Sequence, residues 1–582
     1  MKIKHYFGLA VIAAMTASCS SNEDLGTAGP GTGTNEAGVG YATFSINLPT
    51  TSGTRADANP EFKPGDANEY DVFNATLLVF KKPTAATAET SEGEYTFVEH
   101  VDLGSMQPWK SSSETGVTTQ AKITAKLSKV DKSGEYFALV LLNNGSGADA
   151  KVNLPTDEPT TTYSAWNKAA NATDKFDKTD KGFYMANAPL FKNNSVTTLV
   201  AIDNSKIFPT EAQASSGEAA ADIYVERGLA KVTLTEDTKA EKTVGDGSSY
   251  AGDVVKINNW ALDVTNKKTF PIHNVDGLST DYEDIWKNAP AATAAAPSTQ
   301  RFVDNSKAIA KRVYWGTDPN YKETNLSAET KESKDAREKN FNYIKKENLT
   351  AKPTDPLYCL ENTFNVANML QEQTTRVVFK GTYTPKSITA DANGTFYKIG
   401  KNVALWNSED LKKHIVAAVT KVVDGASAAG TTIDVDLDAK DNKLTVAGNR
   451  LLDKKNISVN GVELTQPQVD AVNEKLGLSK GYGISTYEKG ESYYIARIKH
   501  FGDALTPWNP GDAYNGDNLK YLGRYGMLRN NWYELNVQSV SGPGYPDVPD
   551  VKPNTPDDEI DKYIKVSVKI LSWAKRSQDV NL

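Results

Sequence analysis

The sequence predicts an all-β, loop-rich protein with room for about two to four domains and large cores. Three observations indicate this class. The chain has 582 residues. Its 26 tyrosines outnumber its 18 phenylalanines, and Thr, Asn, Gly and Pro are abundant. Several stretches alternate apolar and polar residues with the period of a β-strand.

The charge balance and the cysteine count narrow the class further. Lys and Arg number 65 and Asp and Glu 73, a formal charge of −8 without a basic block, so nucleic acid is not expected as a partner. Cys19 and Cys359 are the only cysteines. If Cys19 is lipidated, no internal disulfide is possible, and stability has to come from core packing.

The N-terminus has the pattern of a bacterial secretory signal. Lys2 and Lys4 precede an apolar run at residues 7–15 that is too short to cross a bilayer as a helix. Small residues directly before Cys19 resemble a lipobox. We therefore expect a signal peptide at residues 1–18 and a lipid on Cys19. The alternative is an ordinary signal peptide followed by an incidental cysteine.

A first strand is predicted after a Gly/Thr-rich tether. Residues 41–48 alternate strictly, and one face carries the apolar residues Ala42, Phe44, Ile46 and Leu48. The strand ends at a proline, which cannot donate to a sheet ladder.

An exposed polar loop is predicted directly after this strand. Arg55 is the single basic residue of residues 50–60. Small, polar, exposed loops are where proteases cut. A trypsin-type protease would cut between Arg55 and Ala56 and detach the strand at residues 41–48 together with the lipid. The alternative is a plain surface arginine.

Further strands are predicted along the body of the chain. They lie at residues 73–80, 121–127, 136–144, 225–234, 254–264, 493–500 and 532–540. The run at 136–144 is apolar over most of its length, which favours a central strand covered on both faces. Small and polar residues at 213–221 indicate a domain boundary, after which the strand at 225–234 opens a second set.

Two helices and a charged insertion are expected within the second set. Ser408 is expected to cap the first helix, whose apolar face runs from Leu411 to Val422. The second helix is expected at residues 468–476. Residues 323–348 are crowded with Lys and Glu, which predicts a solvated insertion that is partly helical or disordered.

The chain ends in a strand that follows a proline-rich segment. Residues 541–556 are expected to hold the strand at 563–571 away from the body, because closely spaced prolines keep a chain extended. The apolar face of that strand consists of Ile564, Val566, Val568 and Ile570. A lone strand needs an edge to pair with, on its own chain or on another one, and the pattern leaves both open.

Motifs that would indicate catalysis are missing from the sequence. The five histidines form no His-Glu-x-x-His motif, and no Cys-x-x-Cys, nucleophile elbow or phosphate-binding loop occurs, so no catalytic residue, metal or cofactor is expected. Residues 434–438 carry three aspartates, which indicate a solvated strand face rather than a calcium loop. Cys359 is interpreted as a buried inert thiol rather than a nucleophile. Carboxylate pairs for glycoside hydrolysis are defined by spatial separation, so a surface glycoside hydrolase stays open as an alternative.

Several stretches together resemble the fimbrillins of type V pili, in particular the Mfa-like major fimbrial subunits of Bacteroidia. They are residues 357–364 (LYCLENTF), 373–383 (QTTRVVFKGTY), 493–500 (YYIARIKH), 525–533 (YGMLRNNWY), 539–544 (SVSGPG) and the C-terminal 573–582. The resemblance covers the chain from the lipobox to the last residue, apart from the insertion at 323–348.

The resemblance implies two transthyretin-like β-sandwich domains and assembly by protease-triggered strand exchange. In that scheme Cys19 anchors the precursor, and the chain is processed between Arg55 and Ala56. The strand at residues 41–48 is lost on cleavage. The segment around residues 563–571 becomes the donor strand that fills the emptied groove of a neighbour.

The sequence therefore predicts a structural subunit of a fimbrial shaft that supports adhesion and biofilm formation and has no enzymatic activity. Its expected parts are a signal peptide (1–18), a lipidated propeptide (19–55), two β-sandwich domains (56–221 and 222–541) and a linker with the donor strand (542–582). Identical subunits, tip and anchor subunits, a trypsin-like protease and the outer membrane are the expected partners, and the cell-surface fimbrium is the expected location. The alternatives are a surface glycan-binding lipoprotein and a fimbrial tip or anchor subunit.

Overall fold

The structure is a computed structural model. It describes residues 33–49, 69, 71–86, 90–106, 110–111, 117–131, 133–156, 161–169, 176, 181–192, 195–278, 311–323, 326–501, 506, 512, 519–556 and 564–572. The predicted signal peptide, Cys19, Arg55 and Ala56 lie outside the described residues.

The first group of strands builds the N-terminal domain. Its members are β1 (Gly40–Pro49), β2 (Ala75–Lys81), β3 (Thr96–Gly104), β4 (Lys110–Ser111), β5 (Val117–Leu127), β6 (Tyr136–Leu142), β7 (Met185–Asn187), β8 (Leu190–Lys192), β9 (Ser195–Thr197), β10 (Val200–Ala201) and β11 (Ala221–Arg227). Nine of them form one sheet in the order β3-β2-β6-β7-β11-β1-β5-β4, with β10 paired to β6.

Short helices connect these strands and those that follow. They are α1 (Tyr163–Ala169), α2 (Glu211–Ser216), α3 (Glu236–Lys239), α4 (Lys331–Asn340), α5 (Ser408–Val422) and α6 (Gln466–Lys475).

Strand β6 lies in the middle of the first sheet and is covered on both faces, as its apolar run predicts. Ala138 and Val140 belong to an apolar cluster with residues of β1, β5 and β11. Leu139 and Leu141 point the other way, into a second cluster with residues of β2 and α1. The alternation of a strand thus distributes one apolar run between two cores.

The second group of strands builds the C-terminal part of the chain. Its members are β12 (Leu229–Leu234), β13 (Lys242–Thr243), β14 (Val254–Asp263), β15 (Thr265–Asn266), β16 (Lys311–Arg312), β17 (Phe341–Asn342), β18 (Leu357–Leu360), β19 (Arg376–Thr384), β20 (Phe396–Ile399), β21 (Leu405–Trp406), β22 (Ile433–Val435), β23 (Gly448–Arg450), β24 (Ile457–Val459), β25 (Val462–Glu463), β26 (Ile484–Tyr487), β27 (Glu491–Arg497), β28 (Asn531–Val540) and β29 (Ile564–Ser572).

Two four-stranded sheets of this group pack face to face as a β-sandwich. Their strand orders are β18-β12-β28-β29 and β13-β14-β19-β27. One apolar core joins them, with Val232 and Leu535 from the first sheet and Trp260, Phe379 and Tyr494 from the second. The described part of the chain is mostly β, which confirms the predicted class in this coarse form.

The prediction of one strand at residues 225–234 is wrong, because the structure divides this stretch at Gly228. Strand β11 before it belongs to the N-terminal sheet, and β12 after it belongs to the sandwich. A Cβ at position 228 would lie 2.7 Å from the ring of Phe176, so only glycine allows the backbone to pass so close. The change of sheet therefore falls seven residues after position 221.

The two predicted helices form a small inserted unit together with short strands. It lies between β19 and β27 and has its own core, to which Leu411, Ile415 and Val419 of α5 contribute. The prediction that Ser408 caps α5 is wrong. Asn407 is the cap, and its side chain accepts a hydrogen bond from the backbone N–H of Asp410.

The charged insertion at residues 323–348 is partly helical, as predicted, since it contains α4. It is also anchored to the body more firmly than its composition indicates. Leu326 and Phe341 are buried together with Val264, which lies outside the insertion. Arg337 of α4 is buried as well, and its guanidinium donates to the carbonyls of Leu326 and Ala328.

Candidate functional site

Strand β1 occupies an interior position of the N-terminal sheet. It pairs in parallel with β11, where Phe44 lies beside Ala221, and antiparallel with β5, where Phe44 lies opposite Ile123. The side chains of Ala42, Phe44 and Ile46 are fully buried in the domain core. The strand predicted to be cleavable is therefore hydrogen-bonded on both sides and is part of the core of the N-terminal domain.

The opposite face of β1 is polar and buried as well. Thr43, Ser45 and Asn47 are at most 4% exposed. The hydroxyl of Thr43 donates to the carbonyl of Ala214 in α2 (2.8 Å). The side-chain amide of Gln120 donates to the hydroxyl of Ser45 (3.0 Å).

Sequence reasoning missed the burial of this polar face, because alternation alone assigns polar residues to solvent. The available signal was the absence of charge. Every polar residue at positions 43–47 is short and neutral, which suits a covered face with hydrogen-bond partners.

The chain is anchored again at Glu69, beyond the segment that contains the predicted processing site. The Glu69 carboxylate forms a buried ion pair with Lys231 at the start of the sandwich. It also accepts a hydrogen bond from the hydroxyl of Tyr358 (2.7 Å). A cut at Arg55 would therefore leave β1 held by hydrogen bonds and packing alone, while the rest of the chain stays fixed from Glu69 onward.

Strand β29 pairs with β28 of its own chain, at the end of a sheet. Val566 lies opposite Val537 and Val568 opposite Leu535, and both valines pack against the sandwich core. Both are only partly buried. Ile564 and Ile570 belong to the same strand, but their side chains lie outside the described residues. In this structure β29 pairs with the edge of β28 in its own chain, and its donation to a neighbouring subunit stays a prediction.

The proline-rich segment before β29 lies on the sandwich, so the prediction that it holds the strand away from the body is wrong. Tyr545 and Tyr493 exchange backbone hydrogen bonds of 2.8 and 2.9 Å. Thr555 accepts one from the backbone N–H of Gln371. Prolines remove donors but keep their carbonyl acceptors, and the body supplies the matching donors.

A buried ion pair fixes the middle of this segment. The Arg376 guanidinium lies 2.7 Å from the carboxylate of Asp263, and both side chains are 2% exposed. The same guanidinium donates to the carbonyl of Pro549 (2.6 Å). The neighbouring groups also line a cleft of about 980 Å³ between the charged insertion and the proline-rich segment.

Among the described residues, those that the sequence suggested for catalysis or metal binding do not come together in a catalytic arrangement. Asp434, Asp436 and Asp438 are exposed, in agreement with the interpretation as a solvated face. Cys359 is buried, and burial raises the pKa of its thiol to about 12, as expected for an inert thiol. Within the described ranges, no group of three or more His, Cys, Asp or Glu side chains could hold a metal ion. None of the described helices has the length and apolarity to cross a membrane.

One buried histidine has the partners that an active site would use, and it lies at the domain junction. His273 Nδ1 is 3.0 Å from the carboxylate of Glu226, and Glu361 joins the cluster through a 3.1 Å ion pair with Arg529. All four side chains are at most 2% exposed. A substrate would have to open the junction to reach them, because the cluster is enclosed where the two domains meet.

The C-terminal strands are similar to a known protein family. Residues 485–579 match the family model described as major fimbrial subunit protein type IV, Fimbrillin, C-terminal. The matched segment includes β27, β28, the docked proline-rich segment and β29. The resemblance to fimbrillins predicted from the sequence is thus confirmed over residues 485–579, and it supports a fimbrial subunit at the cell surface.

Solved structures with similarity to the chain come from Parabacteroides distasonis ATCC 8503. One, described as a candidate cell adhesion protein, is 11% identical, covers 92% of this chain and 98% of its own, and has a TM-score of 0.36. Another, described as a fimbrial assembly protein, is 12% identical, covers 64% of this chain and 97% of its own, and has a TM-score of 0.25. The comparison with curated proteins gives no match.

Proposed function

We propose that the protein is the structural subunit of a fimbrial shaft, exported as a lipoprotein through Cys19, cleaved between Arg55 and Ala56, and polymerised by donor-strand exchange. The proposal rests on one observation above all. The strand that precedes the cleavage segment, β1, lies in the interior of a sheet and contributes fully buried core residues. Its release would expose two sheet edges and an apolar slot at once.

The two strand positions differ in a way that favours exchange. Among the described strands, β29 pairs with β28 alone. A strand in the place of β1 would pair with both β5 and β11. It would therefore gain a second ladder of backbone hydrogen bonds and bury its apolar face in a closed core, whereas Val566 and Val568 are only partly buried beside β28.

The docked segment before β29 fits this proposal as an anchor for the donor. Its contacts with Arg376 and Tyr493 fix the chain up to Pro556 on its own subunit. Only the residues after this point have to change partner. The transthyretin-like topology that the family resemblance implies for the two domains is part of the proposal and stays a prediction.

The decisive experiment is N-terminal sequencing of protein recovered from the cell surface, combined with two variants. Shaft subunits should begin at Ala56. Arg55→Ala should leave full-length, unassembled precursor, and Cys19→Ala should block delivery to the surface. Lys126 is an exposed basic residue on β5. Lys126→Ala therefore serves as the control for the loss of a positive charge in Arg55→Ala, and this variant should assemble normally.

Two results would overturn parts of the proposal. Normal polymers of Arg55→Ala would eliminate processing at this site. A lipidated and uncut protein in mature fimbriae would favour an anchor subunit instead. The glycan-binding alternative gains little from the described surface, where the exposed large aromatic residues, Phe73 and Tyr482, lie in different units of the fold.

A further inference from the structure

Strand β1, which would be released by cleavage, and strand β29, which would replace it, have the same symmetric alternation of apolar and polar residues. This inference rests on the proposed function and adds the register of the exchange. In β1 the alternating apolar residues run from Ala42 to Leu48 with Ser45 at their centre. In β29 they run from Ile564 to Ile570 with Ser567 at their centre.

We infer that Ser567 sets the register of the donor strand by taking the place of Ser45 in the neighbouring subunit. If all four apolar residues of the donor enter the core side of the slot, Ser567 falls on position 45 whether the strand runs parallel or antiparallel to the departed β1. The lysines Lys565 and Lys569 then fall on positions 43 and 47. A slip by one residue would turn every apolar side chain out of the core.

The surroundings of position 45 select a short polar side chain. Ser45 is fully buried, although its two neighbours in register, Lys122 on β5 and Asp222 on β11, are exposed. The short serine side chain thus lies between the longer side chains of Lys122 and Asp222, and its hydroxyl accepts a hydrogen bond from the side-chain amide of Gln120. A slip by two residues would remove one apolar residue from the core. It would also replace the serine that accepts the amide hydrogen of Gln120 by a lysine, which has no acceptor.

The flanking positions accommodate the two lysines unequally. Asn47 is buried, but its neighbours in register, Gln120 and Tyr224, are only partly buried, so a lysine at position 47 reaches water once these two side chains shift. At position 43 the hydroxyl of Thr43 is covered by Ala214 of α2. A lysine there requires α2 to move outward, which places one local rearrangement in the accepting subunit.

Cysteine pairs test the register directly. Ser567→Cys combined with Lys122→Cys should give disulfide-linked ladders of subunits on a non-reducing gel of assembled fimbriae, since residues opposite each other on adjacent strands come within disulfide distance. Ser567→Cys with Asp222→Cys should give the same result from the other neighbour. Both partner positions are exposed, so cysteine is tolerated there. Cys359 is buried and its thiol pKa is about 12, so it does not compete.

The matched control shifts the pair by two residues, as Lys569→Cys with Lys122→Cys, and should give at least tenfold fewer links. Ladders from the shifted pair that equal those from the predicted pair would overturn the inference, as would the absence of ladders in well-formed fimbriae. Failure of the unsubstituted protein to polymerise after cleavage would instead refute the proposed function. As a second readout, Ser567→Lys should slow polymerisation at least tenfold, whereas Lys565→Ser should not.

Discussion

Phe44 and Ala221 lie side by side in two parallel strands, and the side chain of Phe44 is fully buried. The first described strand of the chain is therefore enclosed in the sheet of the N-terminal domain. Its core residues stabilise the precursor only, if the strand is later removed.

Replacing Phe44 separates the stability of the precursor from that of the fimbria. Phe44→Ala should lower the free energy of unfolding of the uncleaved precursor by about 3–5 kcal/mol, because a buried aromatic side chain is lost and a cavity is left. Fimbriae assembled from the same variant should resist denaturant like the unsubstituted ones. Urea unfolding of both forms measures this, with the exposed Glu36→Ala as the control. Equal weakening of precursor and fimbriae would show that β1 stays in place.

Removal of the C-terminal strand should abolish polymerisation but leave a folded monomer. Deleting residues 557–582 takes away Val566 and Val568, which are only partly buried, whereas Val232 and Leu535 of the same sheet stay in the core. We expect a soluble monomer with reduced stability, as measured by circular dichroism and size-exclusion chromatography. An unfolded deletion variant would show that β29 is essential to its own domain and would argue against exchange.

Breaking the ion pair beneath the proline-rich segment should destabilise the protein strongly. Arg376→Met leaves the carboxylate of Asp263 buried without its partner, and breaking such a pair costs about 3–5 kcal/mol. It also removes the donor to Pro549, so limited proteolysis should cut residues 541–556 faster. Lys82→Ala breaks the surface pair with Glu135 and should change stability by less than about 1 kcal/mol.

The buried carboxyl group of Asp318 should make the free energy of unfolding depend on pH. Burial raises the pKa of this carboxyl to about 7, although the backbone N–H groups of Thr363 and Asn320 donate to it. Between about pH 4 and pH 7 the folded state then binds more protons than the unfolded state, so this contribution to the free energy of unfolding falls as the pH rises.

Near pH 4, Asp318→Asn should be less stable than the parent, because the side-chain amide cannot accept all the hydrogen bonds that the carboxyl group accepts. Between pH 4 and pH 7 the variant should lose less stability than the parent. The difference between the two profiles should be on the order of 4 kcal/mol at most. Urea unfolding at both pH values measures it, and Glu347→Gln, at an exposed position, should leave the profile unchanged. Parallel profiles for Asp318→Asn and the parent would contradict the raised pKa.

Chelation should not affect the protein. The three aspartates at residues 434–438 are exposed, and the backbone N–H of Asp438 donates to the carboxylate of Asp436. The melting temperature should be the same with calcium and with EDTA. A shift of several degrees that Asp436→Asn abolishes would reveal a cation site at this face.

The alternation of apolar and polar residues predicted the positions and faces of single strands well, but it did not predict which distant parts of the chain lie beside them. Alternation identified the faces of β1 and of β29, and the apolar run of β6 correctly predicted a strand covered on both faces. The break at Gly228 was missed because it depends on the ring of Phe176, about fifty residues earlier in the chain. The docking of the proline-rich segment was missed because its acceptors meet donors from Gln371 and Arg376, far away in sequence.

The sequence by itself determined which residues of the first and last strands share a face, because side chains alternate along any extended chain regardless of its surroundings. Only the tertiary structure decided that β1 lies between β5 and β11, that Ser45 is buried between Lys122 and Asp222, and that β29 lies at an edge beside β28. The physical reason is that the backbone groups of every strand offer the same hydrogen bonds. The choice of partner is therefore made by packing between distant parts of the chain.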